Sequence, residues 1–443
     1  MYGLSREELR FAMLISSAHF AQHVYYRVLP PLIPVLAVAL EYPLWQLGLL
    51  ISLYTIGMGI TQAPLGILSD RYDRRYILPT GIAITGLAYV LFAVAPPVGA
   101  PLPAVTIAGH AFEGAFLVMS LAMMFVGIGL SVVHPVGYPM ITDNVSDSNK
   151  GRVLGMFGAS SKFGDAAAPA VIAVLILVLA WHQIILLFGV VGVVYGVALY
   201  AVLGAGAYET VPRGQRTEAD GDSAQDSARP GRRAFLYPMV IVYSFFIFSM
   251  LSTHALNSFL PAFLVGVYEY SLEVAGVAVG AESIANLYFA LLLVSGAVTQ
   301  LVLGGLADQY DSRLILIACM AVATAGMGAL AWISLHPVLL VFVVVVLGTG
   351  LYGVNPARDA LISDLSPPAY EGRTFGYIFT AVSLTGAPLP TVIGYLLELV
   401  GMRTGFLILA VGPALAGLSV ALLYSDRVYR PAPEVEPGAE ASD

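Results

Sequence analysis

Twelve long apolar runs are the feature that most constrains this chain. A membrane-spanning α-helix needs about 20 mostly apolar residues, and none of the runs shows the alternation of a strand. Only 11% of the 443 residues are charged, whereas a soluble domain carries about 25%. The sequence therefore predicts an all-α membrane protein of twelve transmembrane helices, at about 11–39, 46–68, 76–96, 113–140, 152–179, 184–206, 238–265, 279–306, 314–334, 338–362, 373–399 and 405–424.

Two polar stretches interrupt or end this apolar pattern. Residues 207–236 are rich in Ser, Asp and Arg and have no periodicity, which is typical of a flexible linker. Residues 425–443 have a similar composition and are expected to be a disordered tail. The prediction is a six-helix N-terminal half (1–206), a linker (207–236), a six-helix C-terminal half (237–424) and the tail.

Lysine and arginine indicate the orientation in the membrane. Sixteen of the 20 fall on one side if both termini share it, and Arg403 is alone on the other side. Because positively charged loops stay in the cytoplasm, we expect a multi-pass protein of the cell membrane with both termini and the linker cytoplasmic. The other three, Arg27, Lys162 and Arg358, lie inside predicted helices.

An internal repeat divides the chain at the linker. Residues 65–78 and 303–316 are identical at nine of fourteen positions. The stretch 127–135 aligns with 348–356, and an alignment of Leu29 with Leu260 places His23 over His254. Repeats of this kind predict two pseudo-symmetric halves that meet around a central site.

The loop GILSDRYDRR (66–75) resembles the signature that follows helix 2 in the major facilitator superfamily. The resemblance covers nearly the whole chain, with a weaker copy after helix 8. It implies that fold, transport by alternating access, and a cavity lined by helices 1, 4, 7 and 10.

Two weaker resemblances concern the branch of the superfamily. In helix 5, Gly155, Gly164 and Ala168-Pro169 partly match the glycine-proline motif of drug:proton antiporters. The stretches AHFAQHVYYRVLPPLIP and VVHPVGYP look like the fosmidomycin-resistance exporters, with His23 where that branch carries an acidic residue.

The charged loops are predicted to gate the two halves. An aspartate just past one helix is expected to cap the N-terminus of another, which would bring Asp70 to helix 11 and Asp308 to helix 5. The acids that end helices 4 and 10, Asp143 and Asp364, would pair with Arg75 and Arg313. The predicted gating residues are Gly66, Asp70, Arg71, Arg75, Asp143, Arg152, Gly304, Asp308, Arg313, Asp364 and Arg373.

Polar residues inside the apolar runs mark a candidate pathway, because a charge at mid-membrane costs at least about 2.5–3.5 kcal/mol unless it is paired or wet. Lys162 and Asp165, at i and i+3, are able to pair on one helix face. Their pairing as a purely internal salt bridge, and an interfacial position for Arg358, are the structural alternatives. The pathway candidates are His23, Tyr26, Arg27, His134, Lys162, Asp165, His254, Asn257, Asn355, Arg358 and Asp359.

The function that these features favour is secondary transport of a small molecule, most simply proton-coupled export of a drug or an anionic metabolite. Three cavity cations would suit an anion, and histidine is a natural proton carrier near neutral pH. The alternatives are symport that takes up an organic anion, and a non-transporting membrane sensor on the same scaffold. We expect a monomer in a lipid bilayer, with no enzyme activity, cofactor, metal site or nucleic-acid partner.

Overall fold

The computed structural model describes residues 3–205, 208–212, 236–274, 276–307, 309–366, 378 and 381–427. The described chain contains twelve helical spans in two groups of six, which confirms the prediction of an all-α membrane protein. Eleven are apolar enough by composition to cross a membrane, and Lys150–Leu175 is the twelfth by position. Spans 1 to 12 are Arg6–Leu40, Leu44–Arg71, Arg74–Ala93, Gly114–Asn144, Lys150–Leu175, Trp181–Gly204, Tyr237–Val267, Ala281–Ala307, Ser312–Trp332, Pro337–Leu365, Ala381–Val400 and Met402–Tyr424.

Several spans are interrupted. Span 1 consists of the helix Arg6–Tyr26, a 3-10 turn at Pro30–Leu32 and the helix Ile33–Leu40. The continuous helix of span 11 is Leu389–Val400, and span 12 consists of Met402–Leu409, Val411–Ala421 and a 3-10 turn at Leu422–Tyr424. A short helix, Ala95–Gly99, follows span 3.

Two small antiparallel hairpins lie outside the spans. Strand β1 (Val105–Ile107) pairs with β2 (His110–Phe112) between spans 3 and 4. Strand β3 (Leu272–Val274) pairs with β4 (Val277–Val279) between spans 7 and 8. Both connections follow an odd number of crossings, so the hairpins lie on the side opposite the chain termini.

Spans 4 and 10 break at the same point of the sequence repeat. Span 4 is the helices Gly114–Leu130 and Val133–Asn144, and span 10 is Pro337–Tyr352 and Val354–Leu365. In both spans a proline follows the break by a few residues and removes a backbone donor.

Paired glycines bring these broken spans close to their neighbours. A Cβ at Gly127 would collide with the backbone of Tyr54 on span 2, and one at Gly348 would collide with Leu292 on span 8. Only glycine permits such close helix contact. Gly127 therefore serves close packing, whereas Gly59, in span 2, faces open space.

The two halves meet at the end of the molecule away from the termini. Span 2 lies against span 11 and span 5 against span 8. The Ser52 and Thr391 hydroxyl groups are 2.8 Å apart, and Asn286 donates to the Pro31 carbonyl at 3.3 Å. Within the described ranges, a Cβ at Gly66, near the opposite end of span 2, or at Gly151, at that end of span 5, would have no neighbour within 4 Å. The Ser52–Thr391 and Asn286–Pro31 contacts thus join the two halves on the side away from the termini.

The predicted linker lies mostly outside the described residues. The described part, 208–212, contacts the N-terminal half: Arg74 N–H donates to the Thr210 carbonyl at 3.0 Å and Glu209 N–H to Asn144 at 2.7 Å. The predicted tail is outside the described residues from 428 onward. The domain boundaries stay a prediction.

Candidate functional site

The break in span 1 places a buried arginine at the centre of the molecule. The first helix ends at Tyr26, and Arg27 occupies its C-terminal cap. The chain then turns through Pro30 and Pro31, which cannot donate backbone hydrogen bonds. Arg27 is 6% exposed, so its charge requires a partner.

That partner is Asp165 on span 5. Arg27 Nε donates to Asp165 Oδ1 at 2.8 Å, and both side chains are less than a tenth exposed. His23 Nδ1 lies 3.2 Å from the same oxygen, near enough for an ion pair although outside hydrogen-bond geometry. The alternative of a Lys162–Asp165 salt bridge is not observed among the described residues. The Arg27 guanidinium binds the Asp165 carboxylate from the facing helix. Its planar N–H donors match the two carboxylate oxygens better than a lysine ammonium does.

A cavity of about 320 Å³ lies between the two halves, beside this ion pair. Spans 1, 2, 5, 7, 10 and 11 line it. Seven predicted pathway residues are among the lining residues: Tyr26, Arg27, Lys162, His254, Asn257, Asn355 and Arg358.

The structure corrects the expectation for span 4, which contributes no residue to this cavity within the described chain. Its candidate, His134, contacts His19 instead, with the two Nε2 atoms 3.2 Å apart. His19 also stacks on Phe157 at 3.9 Å between ring centroids. His134 therefore lies behind span 1 rather than on the cavity wall.

On the C-terminal side, Arg358 is held within span 10. It pairs with Asp359 at 2.8 Å and donates to Asn355 at 2.9 Å. Its guanidinium lies 5.1 Å from the centroid of the Phe246 ring. Arg358 thus faces the cavity, and the interfacial alternative is not observed.

The cavity carries one positive charge more than it has nearby carboxylates. Arg27 and Arg358 each have an acidic partner. Lys162 also lines the cavity, and no described residue forms a hydrogen bond or ion pair with its ammonium. Three cations against two carboxylates make the cavity attractive to an anion.

Tyrosines are the lining residues that sequence reasoning missed. Tyr54 lies in span 2 with its ring 5.1 Å from that of Tyr26. Tyr352 lies at the break in span 10 and donates a short hydrogen bond to the side-chain oxygen, Oδ1, of Asn257. A signal was available, since a tyrosine in an apolar span needs a partner for its hydroxyl group.

The gating loops form bonds within each half. Asp143 accepts from Arg74 at 2.6 Å, whereas Arg75 lies 2.8 Å from Asp73. The predicted Asp143–Arg75 pair is wrong, because consecutive helix residues point about 100° apart and Asp73 caps the helix beside Arg75.

The second copy repeats this arrangement. Arg313 pairs with Asp311 at 2.8 Å, and Asp364 is exposed and has no ion pair among the described residues. The expected Asp364–Arg313 pair is therefore not observed.

The remaining gating candidates that the structure describes are at the ends of the spans near the termini. Asp70 and Arg71 are exposed at the end of span 2. Arg152 lies beside Gly3, and Gly304 is near the end of span 8. Asp308 and Arg373 lie outside the described residues, so their predicted capping contacts stay predictions.

Comparison with known families identifies the scaffold. The match to the Major Facilitator Superfamily extends over residues 15–295 and 281–442. The chain belongs to this superfamily. It is therefore a secondary transporter scaffold rather than an enzyme.

Three members of the superfamily match between 37% and 87% of the chain. It is 25% identical to the probable L-galactonate transporter of Escherichia coli over 63% of this chain and 59% of that protein. It is 21% identical to the hexuronate transporter of Bacillus subtilis over 87% of each. The fosmidomycin resistance protein of Escherichia coli is 25% identical over 37% of this chain and 35% of that protein.

Solved structures share the fold. A bacterial homologue of the human lysosomal transporter Spinster, in an inward-facing and occupied conformation, superposes with a TM-score of 0.73 at 16% identity. The match covers 97% of this chain and all of that one.

Proposed function

We propose that this superfamily member transports a small organic anion of the sugar-acid class by alternating access. The observation that carries the proposal is the unpaired Lys162 ammonium on the wall of a cavity between the two halves. A carboxylate entering the cavity would gain a charge-assisted contact that no described residue provides. Two relatives named for galactonate and hexuronate transport support the same class.

The rest of the lining suits a polyhydroxylated molecule. Tyr54, Thr55, Ser249 and Thr253 line the cavity. The last three hydroxyl groups donate to carbonyls of their own helices, and each keeps a lone pair that can accept from a substrate hydroxyl. The cavity volume, about 320 Å³, is at the lower end of the usual range for small-molecule sites, about 300–1,000 Å³.

We further propose that protons drive the cycle through Asp165 and His23. The carboxylate lies between the imidazole and Arg27, so protonation of Asp165 would release the guanidinium toward the cavity. Export is the predicted direction, and the likeness to a fosmidomycin resistance protein supports it. Uptake by symport is the alternative. The lysine and arginine distribution supports cytoplasmic termini in the cell membrane.

The test is flux in proteoliposomes that contain the purified full-length chain and an internal pH dye. Labelled hexuronate and L-galactonate are supplied with and without a pH gradient, and glucose is the neutral control. We expect saturable movement of the anions, little movement of glucose, and a coupled proton flux whose sign gives the direction. Correctly folded protein that moves neither anion would overturn the proposal and favour the sensor alternative.

A further inference from the structure

Three histidines from spans 1 and 4 converge beside the ion pair. His19 and His23 lie one helical turn apart on span 1, and His134 lies near the start of the second helix of span 4. One ring nitrogen from each lies within 4.8 Å of the others. We propose that this cluster binds one divalent transition-metal ion of the Zn²⁺ class.

The separations are close to what such an ion requires. With Zn–N bonds of 2.0–2.1 Å, two nitrogens of a tetrahedral site lie about 3.3 Å apart. The Nε2 atoms of His19 and His134 are already 3.2 Å apart. The His23 side chain is 23% exposed, which leaves its ring room to turn and close the remaining gap of roughly 1.5 Å.

The two histidines of span 1 have the outer partners that metal ligands have. His19 Nδ1 lies 2.6 Å from the Phe157 carbonyl oxygen. Because a carbonyl only accepts, Nδ1 carries the hydrogen and the neutral ring keeps its lone pair on Nε2. His23 Nδ1 lies 3.2 Å from Asp165 but outside hydrogen-bond geometry, and a turn of the ring would let it donate to this carboxylate in the same tautomer. Ligating histidines characteristically donate their second N–H to a carbonyl or a carboxylate.

The third histidine, His134, needs only a change of tautomer to become a metal ligand. With the His19 lone pair on Nε2, the short contact between the two rings requires a hydrogen on His134 Nε2. Metal binding would replace this hydrogen bond, and the His134 proton would move to Nδ1 without a change in ring charge. Three neutral imidazoles bind the ion and leave a fourth position for water.

The test uses the full-length protein without a histidine tag, in detergent, with Zn²⁺ and Co²⁺ as the probes. Calorimetry measures Zn²⁺ affinity and stoichiometry, and visible absorbance reports the tetrahedral geometry of Co²⁺. We expect one ion per chain and a rise in the melting temperature on Zn²⁺ addition. His19→Ala and His134→Ala should each weaken binding at least about tenfold. His182→Ala, which removes an exposed histidine outside the cluster, should change neither quantity.

Two results would overturn the site. One is a stoichiometry well below one ion per chain, which would leave the three rings as a packed hydrogen-bonded group. The other is unchanged affinity in the folded His134→Ala variant, which would place any bound ion elsewhere. Because His19 is buried and its variant is the more prone to misfold, the His134 variant decides. Metal binding needs no substrate, so the result is independent of the anion-transport proposal.

Discussion

The two halves share one framework and differ in the chemistry at its centre. His23 in span 1 and His254 in span 7 occupy matching repeat positions. His23 faces Asp165 of span 5, and the repeat position of Asp165 in span 11 is Gly386. A Cβ at Gly386 would lie 3.2 Å from His254 Nε2 and would collide with the end of Met250. The same interhelical contact thus exists twice, but with a carboxylate in one half only.

The ion pairs of the two halves differ accordingly. Arg27 and Asp165 link two spans and have side chains that are 8% and 9% exposed. Arg358 and Asp359 are neighbours in one helix, and their side chains are 18% and 46% exposed. The ion pair of the N-terminal half thus joins two spans and is buried, whereas that of the C-terminal half lies within one helix and is partly exposed.

Removing the acidic partner of the arginine in each half should give the largest difference in stability and in transport between the halves. Asp165→Ala leaves Arg27 buried and unpaired, which costs about 3–5 kcal/mol, and transport should be lost. Asp359→Ala breaks a partly exposed pair, for which about 0–1 kcal/mol is usual. Thermal unfolding of the purified variants and flux in proteoliposomes measure both effects.

A double variant tests the cause of the Asp165 effect. Replacing Arg27 and Asp165 together by leucine removes both charges, so most of the stability should return while transport stays absent. Equal losses of stability for Asp165→Ala and Asp359→Ala would contradict the proposed difference between the halves.

Loss of the Lys162 charge, which is proposed to contact the anionic substrate, should give the next largest effect. Lys162 has Ser383 as its repeat counterpart, so Lys162→Ala and Ser383→Ala form a matched pair. We expect the first to raise the hexuronate KM at least about tenfold, the usual size of a lost charge-assisted contact of about 1.5–3 kcal/mol. Ser383→Ala should have little effect.

The charge-conserving variant Lys162→Arg separates charge from shape. It should keep most of the anion affinity if the positive charge attracts the substrate. An unchanged KM in Lys162→Ala would remove the main support for an anionic substrate.

The framework could be predicted from the sequence because its signals are local or repeated. Spans follow from composition, and the halves follow from self-similarity. The glycine pairs in spans 4 and 10 were visible as aligned GxG motifs at 127–129 and 348–350. Gly59 shows the limit of this reasoning, since a glycine in a span does not reveal which of its faces has a neighbour.

The centre of the site was predicted as a set of residues but not as a set of bonds. Spacing rules connect Lys162 with Asp165 because they lie on one helix, yet the observed partner, Arg27, is 138 residues away. Likewise Asp143 pairs with Arg74 rather than Arg75, a difference of one residue that depends on helix rotation. The histidine cluster combines two spans in the same way, so the sequence did not indicate that these three rings meet.

Glycine substitutions test the shared part of the framework. Gly127→Ala and Gly348→Ala should each destabilise the protein, because the added methyl group meets backbone atoms of a neighbouring span. Overpacking of this kind costs about 1–3 kcal/mol, and the two halves should lose similar amounts. Gly59→Ala and Gly155→Ala, which face open space, are the controls, and thermal unfolding is the measurement. A loss confined to one half would show that the framework is not equivalent in both.

The smallest expected effects concern the repeated helix caps. Asp73 accepts from Arg75 N–H at 3.0 Å, and Asp311 accepts from Arg313 N–H at 2.9 Å. Replacing either aspartate by alanine should cost about 1 kcal/mol, the usual value of an N-cap. The two losses of stability should be equal, because each aspartate also forms an ion pair with the arginine two residues after it in the chain.

The Asp311 cap should also depend on pH in a definite direction. Hydrogen bonding from the Arg313 side chain lowers the pKa of the Asp311 carboxyl below its usual value. A lowered folded-state pKa stabilises the protein above the unfolded-state pKa, about 3.9, and this stabilisation is lost as pH falls through the folded-state value. The stability difference between the native chain and Asp311→Asn should therefore be constant near neutral pH and shrink below about pH 4. A difference that grew as pH fell would mean that the protonated carboxyl is the better cap, and the Arg313 contact would then not account for the capping energy.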